Sequence, residues 1–359
     1  MYILMIAQMV SAQSELLRVN KQRHFPVILP GNYSGITHIR GDEYAVVSDK
    51  SLSNGFFVFK IAVDSITGDI LSVRDNGFHG NDMSGGDLEA VAYNPVTNTL
   101  FISSEADNSI DEYTLRGDTT GRRLAVPDVY RHAVGNAGLE SLAYNVHTGM
   151  YWTMNESTLT CDGVQSTSSN KAINRLRLQS FGEDLQPLSQ YAYLMDEPVA
   201  GKAADNYAMG VSEVLALDNG RLLVLERELY VPKQKIGAFV NCKIYEVNPP
   251  KAVPVSPDEP LTASSPYMDK RLVYAWRTGI SLFDYSFANY EGMCLGPFLK
   301  DGSRVIILIS DSQNGYGGIL KDWFKTIVIK SEFCNNMPLM SILPPLKHCR
   351  TVYVAQMLG

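Results

Sequence analysis

"NYEGMCLGPFLKDGSRVIILISDSQNG", residues 289–315, carries an acid at each end of an otherwise apolar hairpin pattern. Glu291 opens the stretch, and Asp311 closes it after two apolar runs that a Lys-Asp-Gly turn separates. Turns rich in Asn, Asp and Gly between β-branched runs predict a β-hairpin. Two acids that frame one hairpin need a reason, and the rest of the chain supplies it.

The same unit recurs along the chain. A short polar step, an apolar run, a turn and a second apolar run that ends in an acid recur at 33–51, 87–108, 138–157 and 210–228. A third β-like run follows each hairpin, and several copies show a fourth. Four antiparallel strands per repeat is typical of the blade of a β-propeller. We therefore predict an all-β fold, a β-propeller with five or six four-stranded blades.

The domain organisation follows from the repeat. Residues 13–330 form one propeller domain, and "SELLRVNKQ" (14–22) is expected to supply the outer strand of the last blade. The tail at 331–359 contains Asn-Asn and Pro-Pro and does not fit the repeat. A two-sheet sandwich is the rival fold. It predicts alternating strands without a repeated unit framed by acids, so the repeat favours the propeller.

The N-terminus and the charge balance indicate where the protein acts. Residues 1–12 resemble a signal peptide, because an apolar run ends in the small-residue sequence Val-Ser-Ala. The alternative is a merely hydrophobic start. We expect export to the periplasm or the extracellular space, a monomer, and no membrane span, because every apolar run is too short to cross a bilayer. The net charge of −7 and the lack of a basic patch exclude nucleic acid as a partner.

The framing acids are expected to gather. In a hairpin, the start of the first strand and the end of the second lie at the same end. If these hairpins are innermost in the propeller, their acids surround one mouth of the central channel. In the first copy Ser34 takes the place of the opening acid. The predicted set is Asp49, Glu89, Glu105, Glu140, Glu156, Glu213, Glu226, Glu291 and Asp311.

A cluster of this kind predicts a cation site. Carboxylates that close together cannot all stay ionised unaided, so either their pKa values rise or a cation lies among them. Oxygen ligands without His or Cys suit a hard ion, and Ca²⁺ suits them before Mg²⁺. The five cysteines form no CxxC, and no His lies at zinc-ligand spacing. The alternative is that the acids are solvated and persist only through the ancestry of the repeat.

Several motifs in order resemble those of a known family. "DLEAVAYNP", "LESLAYN", "GVSEVLALDNGRLLVLERE" and "EGMCLGPFLKDGSRVIILISDSQN" are similar to the phytase-like proteins described by the esterase-like activity of phytase. The resemblance runs from about Ser34 to Lys330. It implies an exported, calcium-dependent propeller hydrolase that acts on a small-molecule phosphoester or other ester. The alternative is a non-catalytic propeller that binds a ligand or partner and holds a structural calcium ion.

Three residues are candidates for the chemistry that the resemblance implies. Lys50 and Arg227 directly follow a closing acid, and a cation there could stabilise the charge that develops on a phosphoester. The alternative for both is a surface ion pair with a neighbouring acid. Glu213 is the third candidate, as the opening acid of the fourth repeat.

Overall fold

The described part of the chain is built almost entirely of β-strands. The computed structural model describes residues 13–330 except 52, 85–86, 136–137, 282–284, 314 and 316–319. The predicted signal peptide and the predicted tail lie outside the described residues. No helix within the described ranges is long and apolar enough to cross a membrane. Two short 3₁₀ turns, Asp128–His132 and Pro249–Lys251, lie between the described strands.

The strands form five antiparallel sheets in chain order. Two strands precede the first blade, namely β1 (Glu15–Val19) and β2 (Arg23–His24). The first blade contains β3 (Tyr33–Arg40), β4 (Glu43–Ser48), β5 (Ser53–Val63) and β6 (Ile70–Ser84). The second contains β7 (Leu88–Asn94), β8 (Thr99–Ser104), β9 (Ser109–Thr114) and β10 (Thr119–Arg123).

The remaining blades follow the same plan with longer insertions. The third contains β11 (Leu139–Asn145), β12 (Met150–Asn155), β13 (Arg175–Phe181) and β14 (Pro187–Leu194). The fourth contains β15 (Asn206–Ala216), β16 (Leu222–Val231), β17 (Phe239–Val247) and β19 (Lys270–Gly279). The short β18 (Pro254–Val255), which precedes β19, pairs with β14 of the third blade. The fifth contains β20 (Asn289–Phe298), β21 (Arg304–Asp311) and β22 (Trp323–Lys330).

The first strand of each blade faces the centre, and the ring closes through the N-terminal strand. β3, β7, β11, β15 and β20 contact one another in that order, and β20 returns to β3. In the fifth blade β1 pairs with β22, with Glu15 opposite Lys330, which confirms the predicted outer strand. The described residues therefore form a five-bladed β-propeller, and a sixth blade is absent from that part of the chain.

The insertion after β12 forms a loop that a buried ion pair holds to its blade. Arg177 on β13 and Asp162 in the insertion are both fully buried, and Nε of Arg177 lies 2.6 Å from the carboxylate. The same guanidinium donates to the carbonyl oxygens of Ser256 and Glu259, so it also fixes the segment that leads to β19. The length of the third repeat thus reflects anchored loops.

Apolar side chains fill the spaces between neighbouring blades. Five buried clusters lie one at each interface between adjacent sheets, and their members include, one from each cluster, Val91, Phe101, Leu178, Leu225 and Ile307. These interfaces leave the channel and its two ends as the places for polar chemistry. One end encloses a cavity of about 270 Å³ that residues of all five inner strands line.

The turns of the inner hairpins confirm the predicted turn chemistry. Each turn contains one residue with positive φ, a conformation that Gly and Asn adopt most easily. These residues are Gly41, Asn98, Gly149, Gly220 and Gly302. Because the turns lie at one end of the blades, the framing acids lie together at the other.

Candidate metal centre at the channel mouth

Every inner hairpin has the same break in its register near the start of its first strand. The last regular pairs before the bulge are Tyr33 with Ser48, Leu88 with Ser104, Leu139 with Asn155, Val211 with Glu226, and Tyr290 with Ser310. A bulge leaves one residue unpaired and re-aims its side chain. The five pairs therefore give a structural alignment of the blades that does not depend on residue identity.

Two positions of this alignment line the mouth. The opening position, which follows the paired residue of the first strand, is occupied by Ser34, Glu89, Glu140, Ser212 and Glu291. The closing position, which follows the paired residue of the second strand, is occupied by Asp49, Glu105, Glu156, Arg227 and Asp311. Seven of the nine predicted carboxylates thus occupy equivalent positions, and the fourth blade contributes a serine and an arginine.

The prediction that Glu213 and Glu226 hold these positions in the fourth blade is wrong. Val211 pairs with Glu226, so the residues that follow this pair are Ser212 and Arg227. A shift of one residue along a strand turns the side chain to the other face. Glu213 and Glu226 each lie one residue away from the mouth positions.

Glu213 is buried and serves the backbone. It is 1% exposed, and its Oε1 accepts hydrogen bonds from the N–H groups of Leu142 and Val214 at 3.2 and 3.0 Å. Burial raises the pKa of this carboxyl well above its usual range. The contacts connect β15 to β11 and do not place Glu213 among the acids of the mouth.

Glu226 belongs to a separate polar network between the third and fourth blades. Its carboxylate accepts hydrogen bonds from the hydroxyl of Tyr193 and from Nζ of Lys270, both at 2.6 Å. Lys270 also pairs with Asp196 at 2.8 Å. Glu226 therefore has a cationic partner of its own within the blade interface.

Two groups of oxygen donors meet at the mouth and share one residue. Asp49, Asp87 and Glu89 offer carboxylate oxygens that all lie within 4.8 Å of one another. Glu89, Glu105 and Glu140 form a second group with the same spread. The first group is partly exposed, because Asp49 and Asp87 are half-buried, whereas all three members of the second group are buried. One group is thus open to solvent and the other is enclosed.

The donor set fits a hard cation. All the ligand atoms in both groups are carboxylate oxygens, the donors that Ca²⁺ prefers. Oδ1 of Asp49 is buried and has no hydrogen-bond partner among the described residues, so this oxygen is available as a ligand for a cation. Oδ1 of Asn108 is buried in the same condition. It lies beside Gly138, whose N–H donates to Glu105 at 2.8 Å.

Arg227 is the cation that the fourth blade adds to the mouth. Its Nη2 lies 2.9 Å from Oε1 of Glu156 and 3.3 Å from Oε1 of Glu291. Its Nη1 donates to Oδ1 of Asn289 at 3.2 Å, and Nδ2 of Asn289 donates to Glu291 at 2.6 Å. Arg227 is 7% exposed, so the alternative of a surface ion pair is wrong in its location: the pair exists but is buried. Burial opposes its charge, but the carboxylates of Glu291 and Glu156 outweigh burial and raise its pKa.

The carboxylates of the mouth resist ionisation in the absence of a cation. Burial raises the pKa of Glu89 and Glu140 well above the usual range, and the neighbouring carboxylates act in the same direction. Burial also raises the pKa of Glu105 and of Glu291 to about 7. For Asp311, burial and the charge of Glu291 raise the pKa to about 9. Several carboxyl groups of the cluster therefore stay protonated when no cation is bound, and a bound cation would displace these protons.

Lys50 lies at the exposed rim. Its ammonium group pairs with Asp49 at 2.6 Å, and its side chain is 57% exposed. Its part in chemistry stays a prediction. Asp87, by contrast, was not predicted, although it directly precedes "LEAV" in the second repeat. Its place in the open donor group follows from the hairpin, since the backbone N–H of Glu105 donates to the carbonyl oxygen of Asp87 at 2.8 Å.

Comparison with known proteins identifies the family. The family model for phytase-like proteins, described as "Esterase-like activity of phytase", matches residues 28–313. The chain belongs to the phytase-like family. The match contains all five inner hairpins, and it confirms the resemblance that the sequence motifs carried. No curated protein matches the chain.

Several solved structures are similar to this phytase-like protein at low identity. A streptogramin B lyase is 11% identical, with a TM-score of 0.34, and the match covers 86% of this chain and 97% of the lyase. A luciferin-regenerating enzyme is 10% identical, with a TM-score of 0.40 and coverage of 86% and 94%. An endo-arabinase from Bacteroides thetaiotaomicron is 12% identical, with a TM-score of 0.43 and coverage of 85% and 95%. At such TM-scores these similarities carry no information on substrate.

Proposed function

We propose that this phytase-like protein is an exported, calcium-dependent hydrolase that acts on a phosphoester or other ester at the acidic mouth of its channel. The observation that carries the proposal is the pair of oxygen-donor groups that meet at Glu89. Membership of the phytase-like family supports it. Export rests on the apolar character of residues 1–12 in the sequence.

The two donor groups suit two different tasks. The buried group of Glu89, Glu105 and Glu140 is enclosed, as a site that holds an ion for stability would be. The group of Asp49, Asp87 and Glu89 faces solvent in part, as a site that a substrate oxygen must reach would do. Catalytic metal sites keep a coordination position open, whereas structural sites are closed. We therefore assign substrate binding to the exposed group.

A calcium ion in the exposed group would neutralise a phosphoester and lower the pKa of a bound water. The chain supplies the rest of the electrostatics. Glu156, Glu291 and Asn289 hold Arg227 in one orientation, so its guanidinium is a preorganised positive charge at the mouth. Lys50, exposed beside Asp49, offers a second cation that can meet an anionic substrate at the rim.

The test combines metal, substrate and matched variants. The full chain is assayed on phosphoesters and carboxylic esters with calcium and with excess chelator. We expect turnover that the chelator abolishes and that Glu89→Gln reduces at least tenfold. Glu228→Gln is the control, because Glu228 is also buried but belongs to neither donor group and accepts hydrogen bonds from the N–H groups of Val199 and Ala200. Full activity in excess chelator would refute the proposal.

Thermal unfolding with calcium and with chelator, measured beside this assay, tests the alternative function. A propeller that binds a ligand and holds only a structural ion would gain stability from calcium, because a ligand that binds the folded state stabilises it. The enclosed group around Glu140 is the feature that favours this reading. A calcium-dependent rise in melting temperature without turnover on any ester would support it over the hydrolase.

A further inference from the structure

An apolar pocket lies between the fourth and fifth blades, beside the mouth. Its volume is about 340 Å³, at the lower end of the range of roughly 300–1,000 Å³ that is usual for small-molecule sites. Its polar lining includes Asn206, at the start of β15. Its apolar lining consists of Leu229, Val231, Ala238, Ile280, Phe287 and Leu320.

The pocket and the mouth share a wall. Asn289 lines the pocket, and its side-chain amide bonds Arg227 and Glu291 on the mouth side. Gln313 also lines the pocket, and its backbone N–H donates to Oδ1 of Asp311 at 2.6 Å. The pocket therefore borders the fifth-blade acids of the mouth, Glu291 and Asp311.

The two charged residues at the edge of the pocket form an ion pair with each other. Nζ of Lys235 lies 2.9 Å from the carboxylate of Asp205, and both residues belong to the lining. This ion pair and the six apolar side chains give the pocket a neutral character. A neutral, apolar group is the occupant that matches it, since burial of apolar surface is favourable and burial of an unpaired charge is costly.

We infer that the pocket receives the apolar group of the substrate, so that the substrate class is an alkyl or aryl phosphate and not a polyol phosphorylated on every carbon. This inference rests on the proposed function, whose site it deepens. In the reaction, the oxygen of water bonds to phosphorus and the bond from phosphorus to the alcohol oxygen breaks. One proton of the water goes to the released alcohol, and the other stays on the phosphate.

Ligand binding at a temperature where turnover is slow tests the pocket without reliance on catalysis. Straight-chain alkyl phosphates from methyl to hexyl are titrated into the calcium-loaded full chain by calorimetry at low temperature. We expect Kd to fall by roughly fourfold for each added methylene until the pocket is full, which is the value of about 0.8 kcal/mol per buried CH₂. The values of kcat/KM for the same series are then expected to rise in parallel.

Variants locate the effect. Val231→Phe fills the pocket and is expected to remove the dependence on chain length, while Val231→Ala, which widens the pocket, is expected to move the optimum to longer chains. Val96→Phe is the control, because Val96 is 74% exposed in the turn of the second blade, at the far end of the propeller. The widening variant keeps the test decisive if the larger side chain prevents folding.

The outcomes separate the pocket from the hydrolase. Dependence on chain length that Val231→Phe removes and Val96→Phe keeps supports the inference. Chain-dependent binding without turnover supports the pocket and refutes the hydrolase. Turnover with Kd and kcat/KM that do not change with chain length refutes the pocket and keeps the hydrolase. No binding of any alkyl phosphate, or an unchanged dependence in Val231→Phe, also overturns the inference.

Discussion

Arg227 occupies, in the fourth blade, the position that Glu156 occupies in the third, and the two side chains form an ion pair of 2.9 Å across the blade boundary. The fourth repeat thus carries a base at a position of the mouth where every other blade carries an acid. The replacement reduces the charge repulsion among the acids. It also holds Glu156 and Glu291 in place.

Removal of this cation is expected to destabilise the protein strongly. Arg227→Gln leaves Glu156 and Glu291 buried without their counter-ion, and breaking a buried ion pair typically costs about 3–5 kcal/mol. Urea denaturation in the presence of chelator at pH 8 measures the loss. Lys50→Gln is the control, because that side chain is exposed and its pair with Asp49 is expected to contribute no more than about 1 kcal/mol. Equal losses in the two variants would contradict the role of Arg227.

Stability without metal is expected to fall as the pH rises. Glu105 and Glu291 have pKa values of about 7 and Asp311 of about 9 in the folded protein, all above the values of the unfolded chain. The folded state therefore binds more protons than the unfolded state. The stability that these protons provide is complete below about pH 4 and is lost as the pH rises through 7 and towards 9.

Urea denaturation from pH 5 to pH 9 in chelator measures this trend. We expect the free energy of unfolding to fall by more than about 1.4 kcal/mol, the equivalent of one pKa unit in one group. Glu105→Gln imitates the protonated acid and retains an acceptor for the N–H of Gly138, so it should flatten the curve. A free energy that stays level or rises over this range would show that the acids of the mouth ionise freely.

The fold was predictable from the sequence because each repeat states the same local chemistry. Apolar runs of strand length and turns with Asn or Gly at positive φ recur in five copies, and acids occupy both mouth positions in three of them. The segment 14–22 was left to pair with the outer edge of the last blade. The number of blades was not decided by the repeat alone. The interval after residue 157 is long enough for further strands, but the structure has none between Asn155 and Arg175, and the buried pair of Asp162 with Arg177 anchors the loop there.

The residues at the two mouth positions were predicted correctly in the first, second, third and fifth blades. In the fourth blade the prediction was one residue away from each position. Glu89, Glu140 and Glu291 were found because each is the glutamate that opens its repeat. The same criterion selects Glu213 in "GVSEVLAL". The register is set by the bulge, which comes directly after an apolar or aromatic residue of the first strand whether or not the next residue is an acid. Alignment on Leu88, Leu139, Val211 and Tyr290 would have selected Ser212, in agreement with Ser34 in the first blade. The contacts of Asn289 across a blade boundary leave no such signal in the sequence.

A glycine at the mouth is expected to be intolerant of a side chain. A Cβ on Gly210 would lie 2.4 Å from Cγ and 2.6 Å from the carbonyl oxygen of Glu156, so the third and fourth blades would have to separate. We expect Gly210→Ala to cost about 1–3 kcal/mol, as overpacking usually does. Gly201→Ala, whose Cβ would meet only the end of Lys171 at 3.9 Å, should stay within about 0.5 kcal/mol of the wild type. Thermal and urea unfolding compare the two variants, and equal values would show that the mouth is not tightly packed there.

Calcium binding is expected to release protons at neutral pH. The carboxyls that would hold the ion have raised pKa values, and a ligand must lose its proton before it coordinates. Calorimetry in two buffers of different ionisation enthalpy measures the number of protons released, and we expect at least one per ion at pH 7. Affinity should rise between pH 6 and pH 8 for the same reason.

Two matched variants assign these protons to the mouth. Glu140→Gln should weaken calcium binding at least tenfold and reduce the proton release, because it removes a charged ligand from the enclosed group. Glu213→Gln should change neither quantity, because Glu213 is equally buried but accepts backbone hydrogen bonds from Leu142 and Val214. If Glu213→Gln abolished calcium binding and Glu140→Gln did not, the ion would lie with Glu213, and the assignment of the mouth from the bulge register would fail.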